Sequence, residues 1–315
     1  MVATGSRPRP LPLPGAEHLL TSDDILSMTE LPASVMFVGA GVIGLELGHV
    51  LARAGAAVTL LEAADRPLSN FDGRAVEVLV DATRELGIDV RTGVRVERIE
   101  LAADGGFIVH GQHAGESLSI EAAAVCNGTG RVANVDTLDL PAAGVPVDKY
   151  RVELDPQLRS VHNPNILFAG DVVPGTPQLA TLATVEGRAA GANALADGDG
   201  TAPDYRVVPQ AVFTVPTLAS VGKRAADASG DHIDVVDTDM ASWLSSKSYA
   251  ELTAFARIVI DRDADRIVGA HLVGHGAAEV IHTFALAMRY SIPASDLESF
   301  VYAYPTFMND IKYLL

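Results

Sequence analysis

The glycines of Gly39-Ala40-Gly41-Val42-Ile43-Gly44 stand at G-x-G-x-x-G spacing behind an apolar run at 35–38, and an acid, Glu62, closes the next apolar run at 57–61. These residue types suit a diphosphate that carries a ribose. Gly39 permits a tight turn, Gly41 lets a pyrophosphate approach the backbone, and Gly44 lets the following helix pack on the strand. The helix start offers unpaired N–H groups and a positive dipole end to the phosphates. The Glu62 carboxylate can accept both adenosine-ribose hydroxyls and repels a 2′-phosphate, which predicts NAD(H) over NADP(H). Glycines alone could serve only a tight turn, but strand, helix and acid in this order favour a nucleotide site. The candidate cofactor segment runs through Gly39, Ala40, Gly41, Val42, Ile43, Gly44, Leu45 and Glu46, with Glu62 beyond it.

The elements that position this segment follow from the hydrophobic pattern. Val35 to Val38 is a continuous apolar run, as for a strand buried on both faces of a parallel sheet. From Ile43 the apolar positions fall at Leu47, Val50, Leu51 and Ala54, at helical spacing, until Gly55 supplies a stop. With the strand at 57–61 this is the opening β-α-β of a doubly wound sheet. A helix at 74–86 and strands near 94–101, 107–110 and 123–126 complete a domain predicted at 34–130. Residues 146–165 read as irregular, 166–168 as a strand, and 179–195 as an alanine-rich helix. The segment 197–204 reads as a linker. Beyond it, strands at 257–261 and 267–273 and an amphipathic helix carrying Ala277, Val280, Ile281, Phe284 and Met288 predict a separate α+β domain over 206–315.

At 315 residues the chain can bury two or three cores, and abundant glycine with scarce aromatics suits a parallel α/β protein. A net charge of −17 excludes nucleic acid and anionic lipid as expected partners. The apolar stretch 35–61 contains Glu46, His49, Arg53 and five glycines, so it does not read as a membrane span. The first fifteen residues lack an apolar segment of signal-peptide length. Cys126 is the single cysteine, so no intramolecular disulfide forms, and a cytoplasmic location is expected.

Four ordered motifs carry a family resemblance: Thr4-Gly5-Ser6-Arg7-Pro8, the glycine motif, Gly130-Arg131-Val132-Ala133-Asn134, and Phe168-Ala169-Gly170-Asp171-Val172. In this order the chain resembles the class I pyridine nucleotide-disulfide oxidoreductases, which include dihydrolipoamide dehydrogenase, glutathione reductase and mercuric reductase. The resemblance implies a Rossmann-like NAD-binding domain at 34–130, a partial FAD-binding domain at 1–33 with 131–205, and an interface domain at 206–315 that forms a homodimer. It implies that Thr4, Gly5 and Ser6 touch FAD, that Gly170 and Asp171 hold the flavin's ribityl chain, and that Gln178, Leu179, Ala180 and Thr181 lie near its ring. Gly130 and Val96 are implied beside Glu62 in the NAD site.

Two departures from the family pattern bear on chemistry. The family's opening FAD strand and its cysteine-bearing helix have no counterpart here, so the chain reads as N-terminally truncated. The family's C-terminal His-Pro-Thr, with a glutamate three residues on, appears as Tyr304-Pro305-Thr306-Phe307-Met308-Asn309. Tyrosine titrates near pH 10 and histidine near about 6.5, so Tyr304 is a poor proton partner for a thiol. Tyr304 either contacts substrate across a dimer or packs with Phe300, Tyr302 and Phe307. The expected function is hydride transfer between NAD(H) and FAD, with electrons passed to a small-molecule or other acceptor. The alternative is a non-catalytic NAD-binding dimerising module or an inactive fragment.

Other signals have simpler readings. Cys126 reads as a small buried thiol. Residues 261–266 resemble a calcium loop, but Arg266 and Leu272 stand where glycine and glutamate are needed, so a hairpin turn is predicted. Gly274-His275-Gly276 reads as a helix start. His271, His275 and His282 have no acid or cysteine at ligand spacing, and no metal is expected.

Overall fold

A computed structural model describes every residue except Asp104, Asp197 and Asp199. The last two belong to the expected linker 197–204, and that part of the reading lies outside the described residues. The chain forms two compact units: Leu11–Thr129 with Arg206–Leu315, and Met1–Pro10 with Gly130–Tyr205.

In the larger unit, β1 (Ser34–Val38), α1 (Val42–Ala54), β2 (Ala57–Leu61), α2 (Gly73–Glu85), β3 (Asp89–Arg91) and β4 (Ala124–Asn127) build a parallel sheet of order β3-β2-β1-β4. The apolar run of β1 is central and buried between α1 and its neighbours, as a doubly wound sheet requires. Asp72 caps α2 by accepting the amides of Arg74 and Ala75. The strands Val94–Leu101, Phe107–His113 and Glu116–Ala122 leave the parallel sheet and form an antiparallel sheet of their own.

The C-terminal half of this unit is a five-stranded antiparallel sheet. Its order is Gln210–Val212, Leu218–Gly222, β6 (Arg266–Val273), β5 (Phe255–Asp261) and Ile233–Asp239. Helix α3 (Ala277–Tyr290) starts at Gly276 and buries Val280, Ile281, Phe284 and Ala287 with this sheet's core. Residues 261–266 form the β5–β6 hairpin turn, pairing Asp261 with Arg266. Among the described residues no three His, Cys, Asp or Glu side chains converge, and no helix is long and apolar enough to cross a membrane.

One face of α1 joins the two halves of the unit. Glu46 accepts the Phe213 amide at 2.7 Å, His49 Nδ1 accepts the Val215 amide at 3.3 Å, and Arg53 donates to the Val215 carbonyl at 2.8 Å. Spacings of three and four place these side chains on one helical face. Thr83 donates to the Leu79 carbonyl, so its hydroxyl accepts from His49 Nε2 at 2.9 Å and the ring is the neutral Nε2–H tautomer. On the opposite side, Asp72 accepts from the Ala225 amide at 3.1 Å and from Arg257 at 3.3 Å.

In the smaller unit Ser6–Pro8 pairs with Arg131–Ala133, and Val135, Leu140, Val145, Leu158, Leu167, Phe168 and Ala190 share a core. The helix spans Ala180–Asn193. The strand expected at 166–168 is a correction: Phe168 bridges only Val2 and Leu167 only Arg159, because each neighbour offers a single residue in register and no ladder forms.

Burial, reinforced by the Arg53 charge, lowers the His49 pKa from 6.5 to about 4. The unfolded chain therefore binds the extra proton between these values. Stability contributed by the neutral ring is complete above about pH 6.5 and is lost as pH falls toward 4, by roughly 3 kcal/mol at most. Thermal melts of wild type and His49→Gln across this window should show a steeper acid-side loss in wild type; equal slopes would sink the assignment.

Candidate functional site

The chain folds into the glycine turn because two backbones meet there. Gly39 lies at φ +103°, and a Cβ on it would sit 2.4 Å from the Gly128 carbonyl oxygen. A Cβ on Gly44 would sit 2.5 Å from the Gly39 oxygen, so the helix start also touches the turn. Gly41 differs. It adopts extended backbone at the N-cap of α1, and the nearest atom to a Cβ there is 3.5 Å away, an ordinary contact. The fold itself does not need glycine at 41, and the space it leaves lies at the start of α1, where no side chain caps the helix. This is the geometry that admits a phosphate.

Glu62 follows β2 and turns back on this loop. One carboxylate oxygen accepts the Ala40 amide at 2.9 Å and the other accepts the Ala64 amide at 2.9 Å. Acid, glycine turn and helix start therefore lie together. Val42 is exposed beside the turn and Ile43 is half-buried. Leu45 is buried in the core and the Glu46 side chain is committed to Phe213, so both hold α1 in place and do not line the turn. Val96 stands at a β-bulge of the antiparallel sheet. Gly130 lies in the smaller unit, where its carbonyl accepts the Arg9 amide.

The residues expected to hold FAD gather in the smaller unit. Ser6 donates its hydroxyl to Asp171 at 3.1 Å and accepts Arg131 Nε at 2.8 Å, while Arg131 also donates to the Ser6 carbonyl at 2.6 Å. Thr4 donates to the Asn134 carbonyl, and Gly5 accepts the Asn134 amide. Gln178 donates to the Asp171 carbonyl at 3.2 Å, and Leu179 caps the helix that begins Ala180-Thr181. The arrangement places a carboxylate and a hydroxyl side by side, able to accept from and donate to a polyol.

Beneath them lies a group that sequence reasoning missed. Glu186 is 1% exposed and accepts the Gly170 amide at 2.7 Å and the Tyr205 hydroxyl at 2.9 Å. Burial raises its carboxyl pKa, and burial beside this carboxyl raises that of Tyr205. The signal was present: Leu182, Glu186 and Ala190 recur every four residues, so a charge sits on the buried stripe of the helix.

Tyr304 is 69% exposed. Among the described residues Tyr304 has no ring contact of the kind considered for it: Phe300 pairs with Tyr302, and Phe307 with Tyr249 and His275. Asn309 is buried, its amide capped by Thr306. Cys126 is fully buried in β4, and burial pushes its thiol up to about 12.

Residues 1–187 match the family model described as pyridine nucleotide-disulphide oxidoreductase, and residues 208–314 match the dimerisation domain of that family. The chain is 33% identical over 310 residues to the dihydrolipoyl dehydrogenase of Geobacillus stearothermophilus, covering 97% of this chain and 65% of the relative. It is 31% identical over 318 residues to a mercuric reductase of Bacillus cereus, covering 99% of this chain and 50% of the relative. Among solved structures, the HOCl-induced flavoprotein disulfide reductase RclA from Escherichia coli superposes with a TM-score of 0.89 at 26% identity, over 99% of this chain and 71% of that one. LpdA from Mycobacterium tuberculosis gives 0.87 at 26% identity, over 99% and 68%. The chain thus spans 65% of the length of the first of these curated relatives. Matched along nearly all of its own length, with the glycine turn, the acid and the Gly170-Asp171 turn in place, the chain belongs to the pyridine nucleotide-disulphide oxidoreductase family.

Proposed function

We propose that this protein transfers hydride between NAD(H) and FAD and hands the electrons to a small-molecule or other acceptor. In this reading residues 34–130 bind NAD(H), residues 1–33 with 131–205 hold FAD, and residues 206–315 form a homodimer interface in the cytoplasm. The observation that carries it is the Glu62 carboxylate 2.9 Å from the Ala40 amide, which sets the ribose acid on the phosphate turn. A carboxylate there accepts hydroxyls and repels a 2′-phosphate, which supports NAD(H) over NADP(H).

FAD, when bound, supplies the two-electron chemistry. The protein's part is position: the α1 start for pyrophosphate, Glu62 for ribose, Ser6 and Asp171 for the flavin's hydroxylated chain, and Gln178 to Thr181 for the ring's surroundings. Thr4, Gly5 and Gly170 hold the backbone of that second site, with Gly130 and Val96 assigned to the NAD side. A dithiol cycle within the chain has no second thiol, since Cys126 is alone. Tyr304, exposed on the interface domain, is the candidate contact for an acceptor across the homodimer. A second reading, an NAD-binding dimerising module without flavin, is favoured by one observation: among the described residues, the only sheet of the smaller unit has two strands of three residues each.

Three measurements test these assignments. Gly39→Ala should lower stability by about 2–4 kcal/mol through its left-handed φ and the Gly128 contact, whereas Gly41→Ala should melt like wild type yet bind NADH on the order of tenfold more weakly; equal behaviour of the pair would refute the division of roles. Glu62→Ala should weaken NADH by roughly tenfold to a hundredfold and narrow its advantage over NADPH; a wild type that binds both cofactors equally would overturn the preference. A visible flavin spectrum of the purified chain that bleaches with NADH is expected for the oxidoreductase, and a colourless chain that binds NADH would favour the module.

A further inference from the structure

The loop that follows Glu62 is held from two sides. From within, Arg66 donates to the carbonyls of Leu68 at 3.3 Å, Ser69 at 2.8 Å and Phe71 at 3.1 Å. Leu68 sits at φ +46° with its side chain buried, a left-handed position that a leucine keeps only where the surroundings fix it. Three hydrogen bonds from one rigid guanidinium do that.

From outside, the C-terminal half of the same unit reaches in. Arg224 donates to the Ser69 carbonyl at 3.1 Å, and its remaining nitrogens grip Asp227 at 2.5 and 2.8 Å, which aims the guanidinium. The next residue, Ala225, gives its amide to Asp72, which is 2% exposed and ends the loop as the α2 cap. Residues 224–225 thus fasten the loop at Ser69 and Asp72, while its beginning carries Glu62, fixed by Ala64 and Ala40.

We propose that Arg224 is a positioning residue for dinucleotide binding, acting from the C-terminal half through the Ser69 carbonyl it shares with Arg66 on the loop that aims Glu62 at the adenosine ribose. The proposal rests on the NAD-binding reading above. The Arg66 guanidinium, committed to its own loop, offers nothing to a 2′-phosphate, so Arg224 serves the same NAD(H) preference. By linkage, a bound dinucleotide strengthens the docking of residues 224–225 as much as that docking strengthens the dinucleotide.

A double-mutant cycle separates this role from general scaffolding. NADH affinity is titrated for wild type, Arg224→Ala, Glu62→Ala and the double variant, with a melting curve for each. Arg224→Ala is expected to weaken NADH about five- to tenfold in the wild-type background and less than about twofold when Glu62 is already gone. Arg224→Lys, which keeps one donor, should recover part of the loss. Should Arg224→Ala fail to fold, Arg224→Lys and Asp227→Asn carry the same cycle with losses of about two- to threefold. Equal weakening in both backgrounds, or none in either, overturns the proposal while leaving the NAD site intact. A wild type that does not bind NADH overturns the site reading itself, and the proposal with it.

Discussion

The contact between Gly39 and Gly128 is the constraint on which the larger unit depends. The two backbones approach so closely that a methyl group on either would meet a carbonyl oxygen at 2.4–2.6 Å. Because they meet, β1 and β4 end side by side, the chain passes from β1 to α1 in three residues, and α1 starts at Gly41 with no side-chain cap. The same turn brings Ala40 under the end of β2, where Glu62 can reach its amide. Turn, helix start and acid are consequences of one close approach.

A second requirement is that the parallel sheet stay docked on the C-terminal sheet. The docking uses polar groups that include Glu46, His49 and Arg53 on α1, Asp72 at the start of α2 with Arg257, and Arg224 with the Ser69 carbonyl. Apolar packing accompanies them, since Val212, Leu218, Phe255 and Val273 share a core with Val35, Phe37 and Leu45. Hydrogen-bonded groups inside an apolar interface fix geometry more than they add stability, because an unmet partner is costly. That fixes the register in which residues 213–215 lie along α1.

What the sequence disclosed follows physical rules, and so does what it hid. Three of the four parallel strands were legible because their apolar runs are continuous, whereas the edge strand Asp89–Arg91 was not, because it is three residues long with a charge at each end and only Val90 buried. The hairpin joining Phe107–His113 to Glu116–Ala122 was not, because its two-residue turn is Ala114-Gly115, both at positive φ, and alanine at the first position lacks the usual asparagine or aspartate signal. The glycine turn and Glu62 were legible as a local motif. Glu186 with Tyr205, Ser6 with Arg131, and Arg224 with Ser69 were not, because their partners are separated by 19, 125 and 155 residues and no periodicity links them. The Glu46 side chain was assigned to the cofactor from its place in the motif, whereas helical geometry turns it away to Phe213.

Cys126 lies in β4 opposite Phe37 of β1 and beside Leu20, sealed from solvent on both sides. With its thiol pushed up to about 12, it stays protonated at neutral pH and offers no thiolate to an electrophile. The sulfur becomes reactive only when β4 separates from its neighbours. Since it is the only cysteine in the chain, a thiol-directed label is silent on the folded sheet and stains each molecule once, at the moment the nucleotide-binding half opens. The protein thereby carries its own clock for the opening of that half, readable without adding a probe site.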